Sequence, residues 1–378
     1  MINLVSDTIN RDDINALIEW LSQDPIPQLT KGSLTKELEK KWALKAATDY
    51  SVFVNSGSSA ILLLLAAYKE LGCTKIISPA LSWATDVSSP MLLGYDIRLC
   101  DCNLNDLGCE LTELEELFRG FKPDIFLSVA PLGLVPDIDR IVSLCEKYKV
   151  ILIEDNCESM GSRTEAGGML GSFGHSSVFS MYYGHHLSTI EGGFINTSDK
   201  KLYDLLLSMR SHGWDRDLDT GEQIRLRKEW NTDDFEALYT FYYSGLNLRS
   251  TDLQAFIGLR QLDKLDGFAS KRNYNFSYYL KNIKENVLDL KERGYVSNFA
   301  YPMVSVARNK IVRKLQENGV TVRPLIAGSM GKQPFWIRKH GNYRYPNADL
   351  IHNFGFYVPN HQDLTEIEMD LIINIVNG

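Results

Sequence analysis

Two adjacent histidines, His185 and His186, sit in the stretch Phe179-Ser180-Met181-Tyr182-Tyr183-Gly184-His185-His186-Leu187-Ser188-Thr189-Ile190-Glu191-Gly192-Gly193. An imidazole titrates near neutrality and can take up and return a proton. Unlike a lysine amine, it cannot hold an aldehyde covalently. Asp155 follows the apolar run Val150-Ile151-Leu152-Ile153-Glu154 and so falls at the carboxyl end of an expected buried strand, where α/β folds bind their ligands. A carboxylate there can pair with a pyridinium nitrogen, or simply cap a helix at a strand exit. Asn55-Ser56-Gly57-Ser58-Ser59 lies between an expected strand and an expected helix. Its glycine, hydroxyls and free amides suit a phosphate; they also suit an ordinary turn. Trp83 can stack on a flat ring or lie half-buried.

Positioning such groups takes a sheet wrapped by helices. Short β-branched runs at 51–54, 75–78, 97–100, 125–129, 150–154, 177–179 and 193–196 read as strands. Amphipathic stretches at 59–71, 111–119 and 138–149 read as helices between them. One long helix is expected over 252–279, then a helix over 306–317, a strand at 320–322 and a closing helix over 364–376. This alternation implies an α/β domain followed by a smaller part with fewer regular cycles. No Gly/Ser linker separates the two.

In order along the chain, Gly57-Ser58-Ser59, Trp83, Glu154-Asp155 with Glu158, Ser180, His185, Gly192-Gly193, Arg210-Ser211-His212-Gly213 and Gly245-Leu246-Asn247-Leu248-Arg249-Ser250-Thr251-Asp252-Leu253-Gln254 resemble the motifs of the DegT/DnrJ/EryC1/StrS sugar aminotransferases. The likeness covers nearly the whole chain. In most of that family the residue six before Glu-Gly-Gly is the lysine that binds pyridoxal phosphate; here it is His185. A one-residue shift of register would put His186 there. The exchange resembles the family's dehydratase branch, whose members use pyridoxamine phosphate to remove the C3 hydroxyl of nucleotide-linked 4-keto-6-deoxy sugars.

The resemblance implies an aspartate-aminotransferase-like fold (fold type I), with a large mixed-sheet cofactor domain at 1–251 and a smaller α+β domain at 252–378. It also implies a homodimer with active sites shared across the interface. The cofactor, pyridoxal 5'-phosphate or pyridoxamine 5'-phosphate, would be re-aminated by L-glutamate. Gly57, Ser58, Ser59 and Ser180 would hold its phosphate, with Asn247 reaching in from the neighbouring subunit. Trp83 would stack on the ring and Asp155 would pair with its nitrogen. Glu158 stands where the family more often has Gln or His near the ring hydroxyl. His185 would carry the proton that dehydration moves. His186 and His212 would contact substrate, and Arg249 would bind the glutamate carboxylate. GDP is the first nucleotide expected, on a 4-keto-6-deoxymannose or a 6-deoxyheptose, because branch members without an iron–sulfur cluster use it. Such products go into O-antigen or capsule. Two rivals stand beside this: an aminotransferase using another lysine (Lys200 or Lys201 being nearest) or a non-covalent cofactor, and a relative that binds cofactor or sugar nucleotide without turnover.

The bulk properties agree with a soluble enzyme. Hydrophobic residues make up 44% and charged residues 23%, an ordinary globular balance. A net charge of −8 argues against nucleic acid or an anionic membrane as the main partner. The longest apolar run, 60–67, is too short to span a bilayer. The start Met1-Ile2-Asn3-Leu4-Val5-Ser6-Asp7 lacks a signal-peptide pattern, so a cytoplasmic location is expected. Cys73, Cys100, Cys102, Cys109, Cys145 and Cys157 are sparse. Cys100-x-Cys102 with Cys109 lacks the partners of a metal or cluster site, and none is expected.

Overall fold

The computed structural model describes residues 1–378. A seven-stranded sheet is built from β1 (Tyr50–Val54), β2 (Lys75–Pro79), β3 (Asp96–Cys100), β4 (Ile125–Val129), β5 (Ile151–Asp155), β6 (Ser176–Ser180) and β7 (Gly193–Thr197), in the order β1-β7-β6-β5-β4-β2-β3. All seven expected strands are present. Only β7 runs against the rest, pairing antiparallel with both β1 and β6. The carboxyl ends of the other six therefore share one edge, and the turns that lead from β1, β2, β3 and β4 toward their helices open there. β4 and β6 are buried at every position, as strands covered on both faces require.

Helices Gly57–Glu70, Leu111–Phe121 and Ile138–Tyr148 cover the sheet at the expected places. A second apolar cluster, with Trp42, Phe53, Phe179 and Phe194, lies beneath helices Ser33–Lys45 and Asp252–Leu262. Two motif residues act here as structural clamps. Arg210 is buried against Glu39 at 2.5 Å and donates to the Phe53 carbonyl at 2.8 Å. Glu39 in turn accepts from the Phe53 amide at 2.8 Å. Removing one member of such a pair costs about 3–5 kcal/mol. Asp252 caps helix Ser33–Lys45 from a distance, accepting from the amides of Gly32, Leu34 and Thr35 at 2.7–3.1 Å.

The smaller sheet consists of β8 (Ala300–Val304), β9 (Arg323–Pro324) and β10 (Gly355–Pro359), in the antiparallel order β8-β10-β9. Each of its strands contains a proline, a residue that argues against a strand in sequence. This explains why β8 and β10 are not legible there. The strand expected at 320–322 is instead a single bridge from Val320 to Ile2, with β9 beginning at Arg323. The long helix expected over 252–279 is two helices, Asp252–Leu262 and Leu265–Asn282. At the break, Asp263 and Lys264 keep φ near −70° and −90° but ψ near −20°, too shallow to continue the helical hydrogen bonds. The Lys264 ammonium is drawn to the carbonyl of Thr8 and the carboxylate of Asp13.

Candidate active site

A cavity of about 460 Å³ lies at the carboxyl edge of the large sheet, closed on its far side by the small sheet. Gly57, Ser58, Trp83, Asp155, Glu158, Ser180 and His185, scattered over more than a hundred residues of sequence, all line it.

The phosphate-type turn is built first. Ser56 caps helix Gly57–Glu70 by accepting from Ser59 N at 3.0 Å, which leaves the first amides of the helix unpaired and facing the cavity. A helix N-terminus of this kind favours an anion. β7 starts against this turn: register places Gly193 between Val54 and Ser180. A Cβ on Gly193 would stand 2.5 Å from the Ser56 carbonyl oxygen and 2.7 Å from Gly57 N. The Gly-Gly pair is thus needed for the turn and Ser180 to converge. Ser59 is spent on this cap, its hydroxyl 2.9 Å from that of Ser56, and it is not part of the cavity wall.

Alternation along β5 sends its last two carboxylates to opposite faces. Glu154 is buried and accepts from the amides of Gly171, Phe173 and Gly174. Asp155 faces the cavity with Oδ1 accepting from Cys157 N at 2.8 Å. Glu158 accepts from Leu132 N at 3.0 Å; burial and the charge of Asp155 raise its carboxyl to about 7. Trp83 stands on the wall, 56% exposed, at the start of helix Ala84–Leu92.

His185 lies on the loop between β6 and β7. That loop is tied across its base, with Met181 N donating to Gly192 O and Thr189 N to Met181 O. The imidazole packs edge-on to Tyr182 and Phe299, at 5.7 and 5.5 Å between ring centroids. Its Nδ1 has no protein partner. Burial, with the positive charge of Arg272 behind it, lowers its pKa to about 4. At neutral pH it is a free base. His186 turns away from the cavity: it is fully buried, and Nε2 lies 2.7 Å from the Ser297 carbonyl oxygen. The expectation that His186 contacts substrate is corrected on this ground, and so is the alternative register, because only His185 opens into the cavity.

Three further candidates lie outside the wall of the single chain. Asn247 is exposed and accepts from Arg249 Nε at 3.1 Å, and Arg249 bridges to Val54 at the end of β1. His212, held at φ +65°, packs against Trp214. Inside the wall stand residues that sequence patterns did not single out: Asp86, Cys157, Phe299, Arg323 and Tyr357, with Leu4 and Val5 from the N-terminus. Asp86 had a weak signal, an acidic residue three after Trp83 in the first turn of a helix, where it accepts from the Trp83 amide. Arg323 had none; it is brought in by pairing with Tyr357 on the small sheet. It is the one cationic side chain of the wall, and no lysine lines it. Lys200 is held on the surface by Asp204 and Asp219. The cysteines Cys100, Cys102 and Cys109 are buried core residues, and no cluster of three or more ligating side chains is placed to hold a metal.

The open helix N-terminus beside Ser180, a carboxylate at the end of the neighbouring strand and an aromatic wall fit a phosphorylated pyridine in size and donor set. A large sheet of this order, with the site at its carboxyl edge under a small sheet, defines a pyridoxal-phosphate enzyme fold of the aminotransferase type. The sequence matches the DegT/DnrJ/EryC1/StrS aminotransferase family over residues 7–377, and the chain belongs to that family. It is 32% identical to a GDP-4-keto-6-deoxy-D-mannose 3-dehydratase of Yersinia pseudotuberculosis, over 97% of this chain and 96% of that one. Among solved structures it resembles an E. coli GDP-4-keto-6-deoxy-D-mannose-3-dehydratase with bound hydrated PLP, at TM-score 0.90 and 29% identity over 100% of this chain and 99% of the other. It also resembles a GDP-4-keto-6-deoxymannose-3-dehydratase with a trapped PLP-glutamate geminal diamine, at TM-score 0.90 and 30% identity over the full length of both.

Proposed function

We propose that this chain is a pyridoxal/pyridoxamine-phosphate-dependent 3-dehydratase acting on a GDP-linked 4-keto-6-deoxy sugar, the mannose form first and a 6-deoxyheptose second, with glutamate restoring the amine. The observation that carries it is the cavity wall itself: a neutral histidine, His185, stands where amino transfer needs a lysine, and no lysine replaces it. That is why the aminotransferase alternative fails on geometry. An unpartnered base in the cavity also has no use in a protein that only binds.

When bound, the cofactor supplies an amine to hold the sugar ketone and a ring that accepts electrons. The chain's residues do the rest. The amides at Gly57 and Ser58, with the Ser180 hydroxyl, would hold the phosphate; Asp155 would pair with the ring nitrogen; Trp83 would cover one face. His185, neutral at working pH, would take a proton from the carbon that bears the cofactor's amine and deliver it to the C3 hydroxyl, so that water leaves. Tyr182 and Phe299 hold its ring in place. Glu158, with its carboxyl raised to about 7, would meet the ring hydroxyl. Arg323 would meet an anionic group of a substrate.

We assign Asn247, Arg249 and His212 to a second site across a homodimer interface. The support is the aromatic cluster of Trp214, Tyr239 and Phe241, with Trp230 and Phe235 exposed beside it. Monomers rarely leave such a patch in water. No helix is long and apolar enough to cross a membrane. The domain division at 251/252 and a cytoplasmic location complete the proposal.

Mass spectrometry tests the activity, with GDP-4-keto-6-deoxymannose, pyridoxal phosphate and glutamate as reactants. The expected product has lost one oxygen from the sugar, with ammonia released. Nitrogen retained in the sugar would mean transamination and overturn the role of His185.

A further inference from the structure

Asp86 is the third residue of helix Ala84–Leu92, and one of its oxygens has an ordinary local use: Oδ2 accepts from Trp83 N at 3.1 Å. The other oxygen has none. Oδ1 is enclosed without a protein donor, and the side chain is 0% exposed although it borders the cavity next to Asp155. Both carboxyls line the same cavity, and the charge of Asp155 acts on that of Asp86. No cation offsets them. From the loop after β5 the facing groups are the Glu158 carboxyl and the Cys157 thiol. From the small sheet the only charge is Arg323, which forms no ion pair with either aspartate.

Two facing carboxyls shut away from water cannot both ionise cheaply; one keeps its proton and donates it to the other. The proton belongs on Asp86. Its burial is complete, and Asp155 pushes its carboxyl well above the usual carboxylate range. Asp155 Oδ1 already accepts from a backbone amide, Cys157 N, at 2.8 Å.

We propose that Asp86 is a positioning residue: a neutral carboxylic acid that donates its proton to Asp155, so that the pair presents a single negative charge to the ring nitrogen of the cofactor. This rests on the cofactor reading above. The consequence is a tuned counter-ion. With Asp86 as donor, part of the charge of Asp155 is drawn away from the ring, and its free oxygen keeps one orientation. Without it, Asp155 either swings or holds the ring proton more tightly.

The infrared spectrum of the apoprotein reads the proton directly, with no dependence on cofactor. Asp86→Asn keeps the acceptor for Trp83 N and an N–H donor toward Asp155 but has no acid proton. The difference between wild type and this variant at pH 7 is expected to contain a protonated-carboxyl C=O band, lost in the variant. A difference spectrum without that band would overturn the proposal. The loaded protein gives a second readout. Asp86→Ala, which strips the donor from Asp155, should keep the ring nitrogen protonated to a pH higher by about one unit, the size of one hydrogen bond, as followed by the absorbance of bound pyridoxal phosphate. Asp86→Asn should titrate like the wild type. If all three titrated together, Asp86 would be only a helix cap. Failure of the wild type to bind pyridoxal phosphate would overturn the cofactor reading instead, leaving the infrared band to decide the proton sharing.

Discussion

His185 and His186 have the same side chain and adjacent places, yet opposite fates. His186 gives its Nε2 to a carbonyl and disappears into the core, while His185 keeps Nδ1 free beside the cavity. Replacing His185 by Gln should lower dehydration ~10²–10⁴-fold, the usual worth of a positioned acid–base group, while pyridoxal phosphate still binds, as read by absorbance. Dehydration surviving in the variant would remove His185 from the mechanism. The lowered pKa carries a second expectation. Between its ordinary 6.5 and about 4, the unfolded chain binds a proton at this ring that the folded chain refuses. Stability therefore falls as pH drops through that window. Denaturant midpoints at pH 7 and pH 5 should fall further for wild type than for His185→Gln; equal falls would mean that the ring titrates normally. The sequence shows that an imidazole replaces an amine, but not which of two neighbouring imidazoles does so. That choice depends on Ser297 and Phe299, a hundred residues downstream, and on Arg272 behind them.

At the scale of elements, the site is a consequence of strand order. β7 is inserted antiparallel between β1 and β6, and its first residue must be small enough to let the helix N-terminus and Ser180 meet. Gly193→Ala puts a methyl 2.5–2.7 Å from backbone atoms of Ser56 and Gly57. The expected outcome is a loss of about 1–3 kcal/mol, typical of overpacking, together with weaker pyridoxal phosphate binding. Denaturant unfolding and a cofactor titration would check it. A variant as stable and as tight-binding as wild type would mean that the turn can move without loss. Strands such as β1, β2, β4 and β5 are legible because burial on both faces demands short, nearly continuous apolar runs. Those of the small sheet are not, because Pro302, Pro324 and Pro359 disguise them. Arg323 and Tyr357 were hidden with them.

For the whole molecule, Asn247 and Arg249 are exposed or half-exposed at the surface and do not line their own chain's cavity. If they complete the site of a second copy, two inactive variants should complement each other. Mixing His185→Gln with Asn247→Ala after joint unfolding and refolding should restore dehydration, because one site in each mixed dimer would keep both residues. Light scattering should show a dimer. A monomer, or mixtures no more active than their components, would return Asn247 to a structural role.

The sequence by itself determined the seven-stranded scaffold, the order of the motifs and the replacement of the expected lysine by His185. Each is written in local terms: apolar runs that must be buried, turns that only glycine and hydroxyl residues make, one side chain at a fixed distance from Glu-Gly-Gly. Only the tertiary structure decided what surrounds those groups. The break at Asp263, the burial of His186, the spending of Ser59 on a cap, the entry of Arg323 and the meeting of Asp86 with Asp155 all depend on contacts between distant segments. Burial and charge act through space, so the ionisation of a side chain is set by neighbours that its own stretch of sequence does not contain.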